Sequence, residues 1–208
     1  SISAIIMFVA FIIVFSEGMS GKITSILMGL GGIGVLIAIF TSGYRMKRFI
    51  SFINPWKYAT DEGYQLVHSL YAIGTGGLFG VGLGNSKQKA LYMPEPHNDF
   101  IFAIICEELG LIGAIIIISV FLVLIVAGIN VAMRAKDKYG RLLATGIISV
   151  IAVQVVINIA VVTGSMPVTG VPLPFISYGG SQLIINVLAI SIINNVYKFR
   201  NVSSTFTN

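Results

Sequence analysis

From Leu109 to Ile129 the chain runs without one charged side chain. A helix rises about 1.5 Å per residue and the hydrocarbon core of a bilayer is about 30 Å thick, so about 20 consecutive apolar residues make a spanning helix. This run supplies them. The rest of the 208-residue sequence agrees: 56% of it is hydrophobic, and only 10% is charged against about 25% in a soluble domain. With a mean hydropathy of +0.93, the chain belongs in a membrane. The same figures exclude extended disorder and a collagen-like chain. Cys106 is the only cysteine, which rules out an intrachain disulfide, and in its apolar surroundings it reads as a small core residue. A pI near 9.4 raises the question of nucleic acid, but no separate basic domain or zinc-ligand spacing accompanies it, and the cations flank apolar runs as membrane-proximal loops do.

Five stretches predict spans: about Ile2 to Phe15, Ile23 to Phe40, Phe100 to Ile129, Leu142 to Val162, and Tyr178 to Tyr197. Their apolar composition is continuous, with no period-2 alternation, so they predict helices and not barrel strands. The expected fold is an all-α polytopic membrane helix bundle of about five transmembrane helices, one domain over residues 1–208, with a large extracellular loop at 41–99. No basic n-region or small-residue cleavage site marks the start as a signal peptide, and the chain reads as a fragment of a longer membrane protein.

Five spans fix which loops share a side. Lys22, Arg134, Lys136, Lys138, Arg141, Lys198 and Arg200 fall on one side, and Arg45, Lys47, Arg48, Lys57, Lys87 and Lys89 on the other. The first set lies in short loops and the tail, where positive charge sets orientation, so that side is expected to be cytoplasmic. Cations on the opposite side call for an anionic partner at the membrane surface, although long loops also cross regardless of charge.

Within the long loop, a basic aromatic entry (Tyr44 to Trp56) leads to a stretch with helical apolar spacing (Tyr64 to Tyr71) and then to glycines between Gly74 and Gly84. Position 79 is Phe where a GxGxxG motif starting at Gly74 needs Gly, and no GxxxxGK[ST] occurs. Close packing against other helices accounts for these glycines better than phosphate binding. His68 and His97 lack a second His or Cys at ligand spacing, which leaves Glu95, Asp99 and a substrate phosphate as the way to hold a divalent cation, Mg or Mn.

Asp99 stands where polar loop becomes apolar helix. It reads either as a helix N-cap or as a general base whose partial desolvation favours proton transfer. Glu107 and Glu108 lie two turns further in, where a carboxylate is costly unless it faces the bundle interior or a polar cavity. Gln154 and Asn158, spaced i, i+4 in the fourth span, form a polar stripe suited to a neighbouring helix or a cavity. The uncharged loop with Pro167, Gly170, Pro172 and Pro174, followed by Ser177 to Ser181, is rigid and offers hydroxyls and glycine N–H groups at a helix start.

The runs Gly63-Tyr64-Gln65-Leu66, Gly76-Gly77-Leu78-Phe79-Gly80, Gly82-Leu83-Gly84-Asn85-Ser86, Pro94-Glu95-Pro96-His97-Asn98-Asp99-Phe100, Glu107-Glu108-Leu109-Gly110 and Leu173-Pro174-Phe175-Ile176-Ser177-Tyr178-Gly179-Gly180-Ser181 together resemble the SEDS family (FtsW, RodA, SpoVE). The match holds order and spacing from about residue 41 onward. It implies the C-terminal half of a roughly ten-helix peptidoglycan glycosyltransferase that polymerises lipid II, releases polyprenyl diphosphate and works with a class B penicillin-binding protein, without nucleic acid. Asp99 falls on the family's catalytic aspartate. Substrate contacts are expected from Arg45, Arg48, Gln65, Lys87, Gln88, Lys89, Glu95, His97, Glu108, Ser177, Tyr178, Gly179, Gly180 and Ser181. The alternatives are a lipid-linked-precursor transporter (flippase), which the internal glutamates and interrupted spans would also suit, and a non-catalytic scaffold of the cell-wall machinery.

Overall fold

The computed structural model describes residues 2–16, 18, 20–89 and 98–202. Seven α-helices are present among them: α1 (Ile2–Ser16), α2 (Gly21–Phe40), α3 (Gly43–Ile53), α4 (Tyr64–Gly76), α5 (Ile101–Met133), α6 (Lys138–Val162) and α7 (Gly180–Val202). No strand occurs among the described residues, and the all-α expectation holds. Among the same residues, Ile101–Met133, Lys138–Val162 and Gly180–Phe199 are long and apolar enough to cross a membrane. They coincide with the third, fourth and fifth expected spans, and the first two apolar stretches form α1 and α2.

Among the described residues of the stretch 41–99, expected as one large loop, lie α3, a turn and α4. α3 carries its basic aromatic entry. A 3₁₀ turn over Pro55–Tyr58 follows, with Pro55 opening it and the Asn54 side chain accepting from the Lys57 N–H at 3.4 Å. α4 then buries Leu66, Val67, Ser69, Ala72 and Gly76. Those positions recur at helical intervals, so this segment of a polar stretch has an apolar face that must pack. It packs on α5, and Gly76 sets the approach: a Cβ there would stand 1.9 Å from the Cys106 carbonyl oxygen, so only glycine fits.

The core joins α4, α5, α6 and the loop before α7 through Ala72, Phe102, Ala103, Ile151, Val155 and Leu173. Ile5 and Val9 of α1 pack with Val171 and with Val150 and Ile157 of α6. Between α5 and α6, Gly128 faces Ile148 without room for a methyl group. Outward-facing residues such as Ile116 and Val123 stay exposed, as lipid contact requires. At the start of α6, the Asp137 carboxyl caps the helix by accepting from the Gly140 N–H at 2.6 Å.

α5 is not one continuous helix. Gly110 adopts φ 66°, ψ −163°, a backbone region open essentially to glycine alone, and the i→i+4 ladder stops there. In an unbroken helix Leu111 and Ile112 would donate to the carbonyls of Glu107 and Glu108. Here all four groups turn to the segment after α4. Val81 N–H donates to Glu107 O at 2.9 Å and Gly82 N–H to Glu108 O at 3.1 Å, while Leu111 N–H donates to Gly77 O at 2.9 Å and Ile112 N–H to Leu78 O at 3.3 Å. Gly76 and Gly80 permit this, because at those two positions the segment lies against the α5 backbone itself. A Cβ on Gly80 would meet Glu108 O at 2.1 Å. Close packing is thus the role of Gly76 and Gly80, while Gly77, Gly82 and Gly84 supply positive φ.

Candidate functional site

Asp99 was expected to cap a helix or act as a base. The residue before the first turn of α5 is Phe100, whose side chain cannot cap it, so the N-cap position falls one residue after Asp99. The reason lies one step upstream, where the main chain at Asn98 and Asp99 is tied to the loop between α6 and α7. Asn158 of α6, 1% exposed, donates its side-chain N–H groups to Asp99 O at 2.7 Å and to Val171 O at 2.8 Å. The Ser177 hydroxyl donates to Asn98 O at 2.7 Å and accepts from the Leu173 N–H at 2.8 Å. Leu173 lies between Pro172 and Pro174, which have no N–H, so this donor is the local one available.

The loop from 163 to 179 thereby closes over the start of α5. Ser177 N–H also donates to Leu173 O at 3.0 Å, and the turn between them holds Phe175 at φ 65°. A left-handed bulky residue costs about 1–3 kcal/mol and persists only where its surroundings impose it. Gly170, at φ 67°, has no side chain to place beside Asp99. A Cβ there would lie 3.4 Å from Asp99 Oδ2. Asp99 itself is half-buried, its carboxyl beside a bare stretch of loop backbone.

Arg48 reaches the same loop from α3: its guanidinium donates to Val168 O at 3.1 Å and stacks over the Tyr44 ring at 4.5 Å. Arg45 is exposed on the same helix, and Gln65 is half-buried in α4. Gln88 is buried, and its Oε1 lies 2.7 Å from His68 Nδ1. Lys87 and Lys89 extend exposed side chains from a turn that Glu107 organises. Glu107, 2% exposed, accepts from the Ser86 hydroxyl and from the Lys87 N–H at 3.2 Å, and Ser86 Oγ accepts from the Lys89 N–H at 3.0 Å. Glu108 is half-buried with Oε1 sequestered and without a hydrogen bond. Tyr178 is 82% exposed, and Gly179, Gly180 and Ser181 form the open start of α7. Glu95 and His97 lie outside the described residues.

Asp99, Arg48, Gly170 and Ser177 therefore converge on one loop, whereas Gln88 is engaged by His68. From the sequence Gly170 was named only as part of a rigid uncharged loop, and Asn158 was placed in a polar stripe suited to a neighbouring helix or a cavity. An asparagine in an otherwise apolar span was the signal available for it. Among the described residues no group of three or more His, Cys, Asp or Glu side chains is arranged to hold a metal ion.

A family pattern described as cell cycle protein, covering FtsW, RodA and SpoVE, matches residues 1–202. The chain belongs to this family. Stage V sporulation protein E of Bacillus subtilis is 51% identical over 175 residues, 84% of this chain and 48% of that protein. A probable peptidoglycan glycosyltransferase FtsW of Geobacter is 46% identical over 190 residues, 90% of this chain and 51% of its own length. Another, from Coxiella burnetii, is 50% identical over 171 residues, 81% of this chain and 46% of that FtsW. The chain spans about half the length of these relatives. Among solved structures, a peptidoglycan synthase complex that coordinates polymerization and crosslinking matches with a TM-score of 0.76 at 26% identity, over 95% of this chain and 55% of the matched one. A mutant of the Thermus thermophilus rod shape determining protein RodA matches at 0.58 and 25% identity, over 95% and 49%. The fold is the polytopic one of the FtsW, RodA and SpoVE family, and the protein is a multi-pass membrane protein.

Proposed function

We propose that this chain carries the general base, Asp99, of a peptidoglycan glycosyltransferase that polymerises lipid II into glycan strands at the outer face of the cytoplasmic membrane. The observation that carries this reading is the anchoring of Asn98 and Asp99 to the Val171–Ser177 loop, which leaves the Asp99 carboxyl beside the bare backbone of Gly170. The FtsW relatives, named as probable peptidoglycan glycosyltransferases, support the reaction class.

In that reaction an acceptor sugar hydroxyl attacks the anomeric carbon of a second sugar. The new carbon–oxygen bond forms as the bond to polyprenyl diphosphate breaks, and the hydroxyl proton passes to the Asp99 carboxylate. The diphosphate leaves with its negative charge already delocalised, so it needs cations more than a proton donor. Arg48, tied to the same loop, is the first such cation, and Arg45, Lys87 and Lys89 are further exposed cations of the 41–99 stretch. The N-terminus of α7 at Gly179, Gly180 and Ser181 adds N–H groups suited to an anion. The described residues do not by themselves form a divalent-cation site, and no step here depends on one. A class B penicillin-binding protein, which cross-links the strands, is the proposed partner.

The test is strand synthesis from purified lipid II by full-length protein in detergent. Asp99→Asn preserves size and hydrogen bonding but cannot take the proton, so turnover should fall by about 10²–10⁴-fold. Near wild-type synthesis by this variant would remove Asp99 from the chemistry. Activity in detergent also distinguishes a polymerase from a flippase, which needs a sealed bilayer to act.

A further inference from the structure

We infer that Asn158 and Ser177 are positioning residues for Asp99, acting through its main chain and not through substrate. The inference rests on the assignment of Asp99 as the base. The carbonyls of Asn98 and Asp99 lie outside the α5 ladder, whose first turn begins with Ala103 N–H donating to Phe100 O at 3.0 Å. A buried carbonyl at this entry to the bundle requires a hydrogen-bond partner. Asn158 serves that of Asp99 and Ser177 that of Asn98.

Both side chains hold two pieces of backbone at once. Asn158 joins Asp99 to Val171, and Ser177 joins Asn98 to Leu173, so the peptides flanking the Asp99 Cα are fixed to the loop that contains Gly170. With the main chain fixed on both sides, the carboxyl can move only by its own side-chain rotations. Two features separate this from ordinary packing. Asn158 leaves its Oδ1 buried and without a hydrogen bond, a cost that an apolar side chain of similar volume would avoid. The Ser177 hydroxyl has given its one proton to Asn98 O, so it has none to offer substrate.

A misplaced base lowers turnover without weakening the ground-state complex. Full-length Asn158→Leu and Ser177→Ala are therefore expected to lose about 10- to 100-fold in kcat for lipid II polymerisation in detergent, with KM changed by less than about twofold. Ser177→Thr, which keeps the hydroxyl, should recover most of the lost kcat. Asp99→Asn is assayed alongside, with the folded fraction of every variant measured so that kcat refers to folded protein. If Asn158→Leu does not fold, the Ser177 pair decides. An inactive Asp99→Asn with wild-type kcat in Ser177→Ala would overturn the positioning role while sparing the base. The role is equally overturned by a raised KM at constant kcat, or by a Thr variant no better than Ala. An active Asp99→Asn would instead sink the base assignment itself.

Discussion

Glu107 and Glu108 are adjacent in sequence, yet α5 turns Glu107 into the bundle, where it accepts two hydrogen bonds from the Ser86–Lys87 turn, and leaves Glu108 half-buried. Glu107 therefore fixes the turn from which Lys87 and Lys89 project. Replacing it by Leu would strand the Ser86 hydroxyl and the Lys87 N–H, at about 1–3 kcal/mol for each donor left buried. Glu107→Leu is expected to lower the unfolding temperature in detergent clearly, and Ser86→Ala to lower it less. Unchanged melting in Glu107→Leu would mean that water satisfies this turn. Lys87→Ala removes only an exposed cation, and it is expected to raise the KM for lipid II while leaving turnover at saturation. That profile differs from the one expected for Asp99→Asn, so the two substitutions separate binding from proton transfer.

At the scale of elements, the break in α5 is built and not accidental. A helix of 33 residues would be roughly 50 Å long, well beyond the hydrocarbon core, whereas the part after Gly110 already exceeds about 30 Å. The first part of α5 is thus free to serve the site, and the bonds lost at the break are replaced by the 77–82 segment. Unpaired backbone groups near lipid cost several kcal/mol each, which is why the two features occur together. Gly110→Ala would bring a Cβ to 2.4 Å from Gly80 N in a backbone conformation that alanine avoids. Gly76→Ala would drive one into the Cys106 carbonyl. Both are expected to reduce the yield of folded protein severely, while Gly74→Ala, where nothing lies within 4 Å, should be tolerated. Fluorescence-detected size exclusion of the three variants checks this, and a well-folded Gly110→Ala would contradict the account of the break.

At the scale of the whole molecule, the parity of the spans has a structural consequence. The 41–99 stretch and the loop from 163 to 179 must lie on the same side, and they meet: Arg48 holds Val168, Ser177 holds Asn98, and Ser69 donates to the carbonyl of Val162 at the end of α6 at 2.7 Å. From the charge distribution we propose that this side is the exterior and that the Arg134–Arg141 loop is cytoplasmic. Since Cys106 is buried, single cysteines introduced at 87 or 136 report on sidedness. An impermeant thiol reagent on intact cells should label position 87 and spare 136, and the opposite pattern would invert the topology.

Charge-free runs such as Leu109 to Ile129 determined the helical, membrane-embedded class, because only a helix satisfies its own backbone in lipid. Asp99 stood out as a candidate, since a carboxyl at the edge of an apolar run is unusual. The break at Gly110 did not, because a glycine in an apolar run looks the same whether it eases packing or ends a hydrogen-bond ladder. Nor could the sequence show which elements α4 meets in the core, or that Asn158 donates to the carbonyls of Asp99 and Val171. Hydropathy and helical period are local quantities that report whether a residue is covered. Which donor meets which carbonyl depends on contacts between residues far apart in the chain, such as Asn158 with Asp99 and Ser177 with Asn98, and those only the tertiary structure decided.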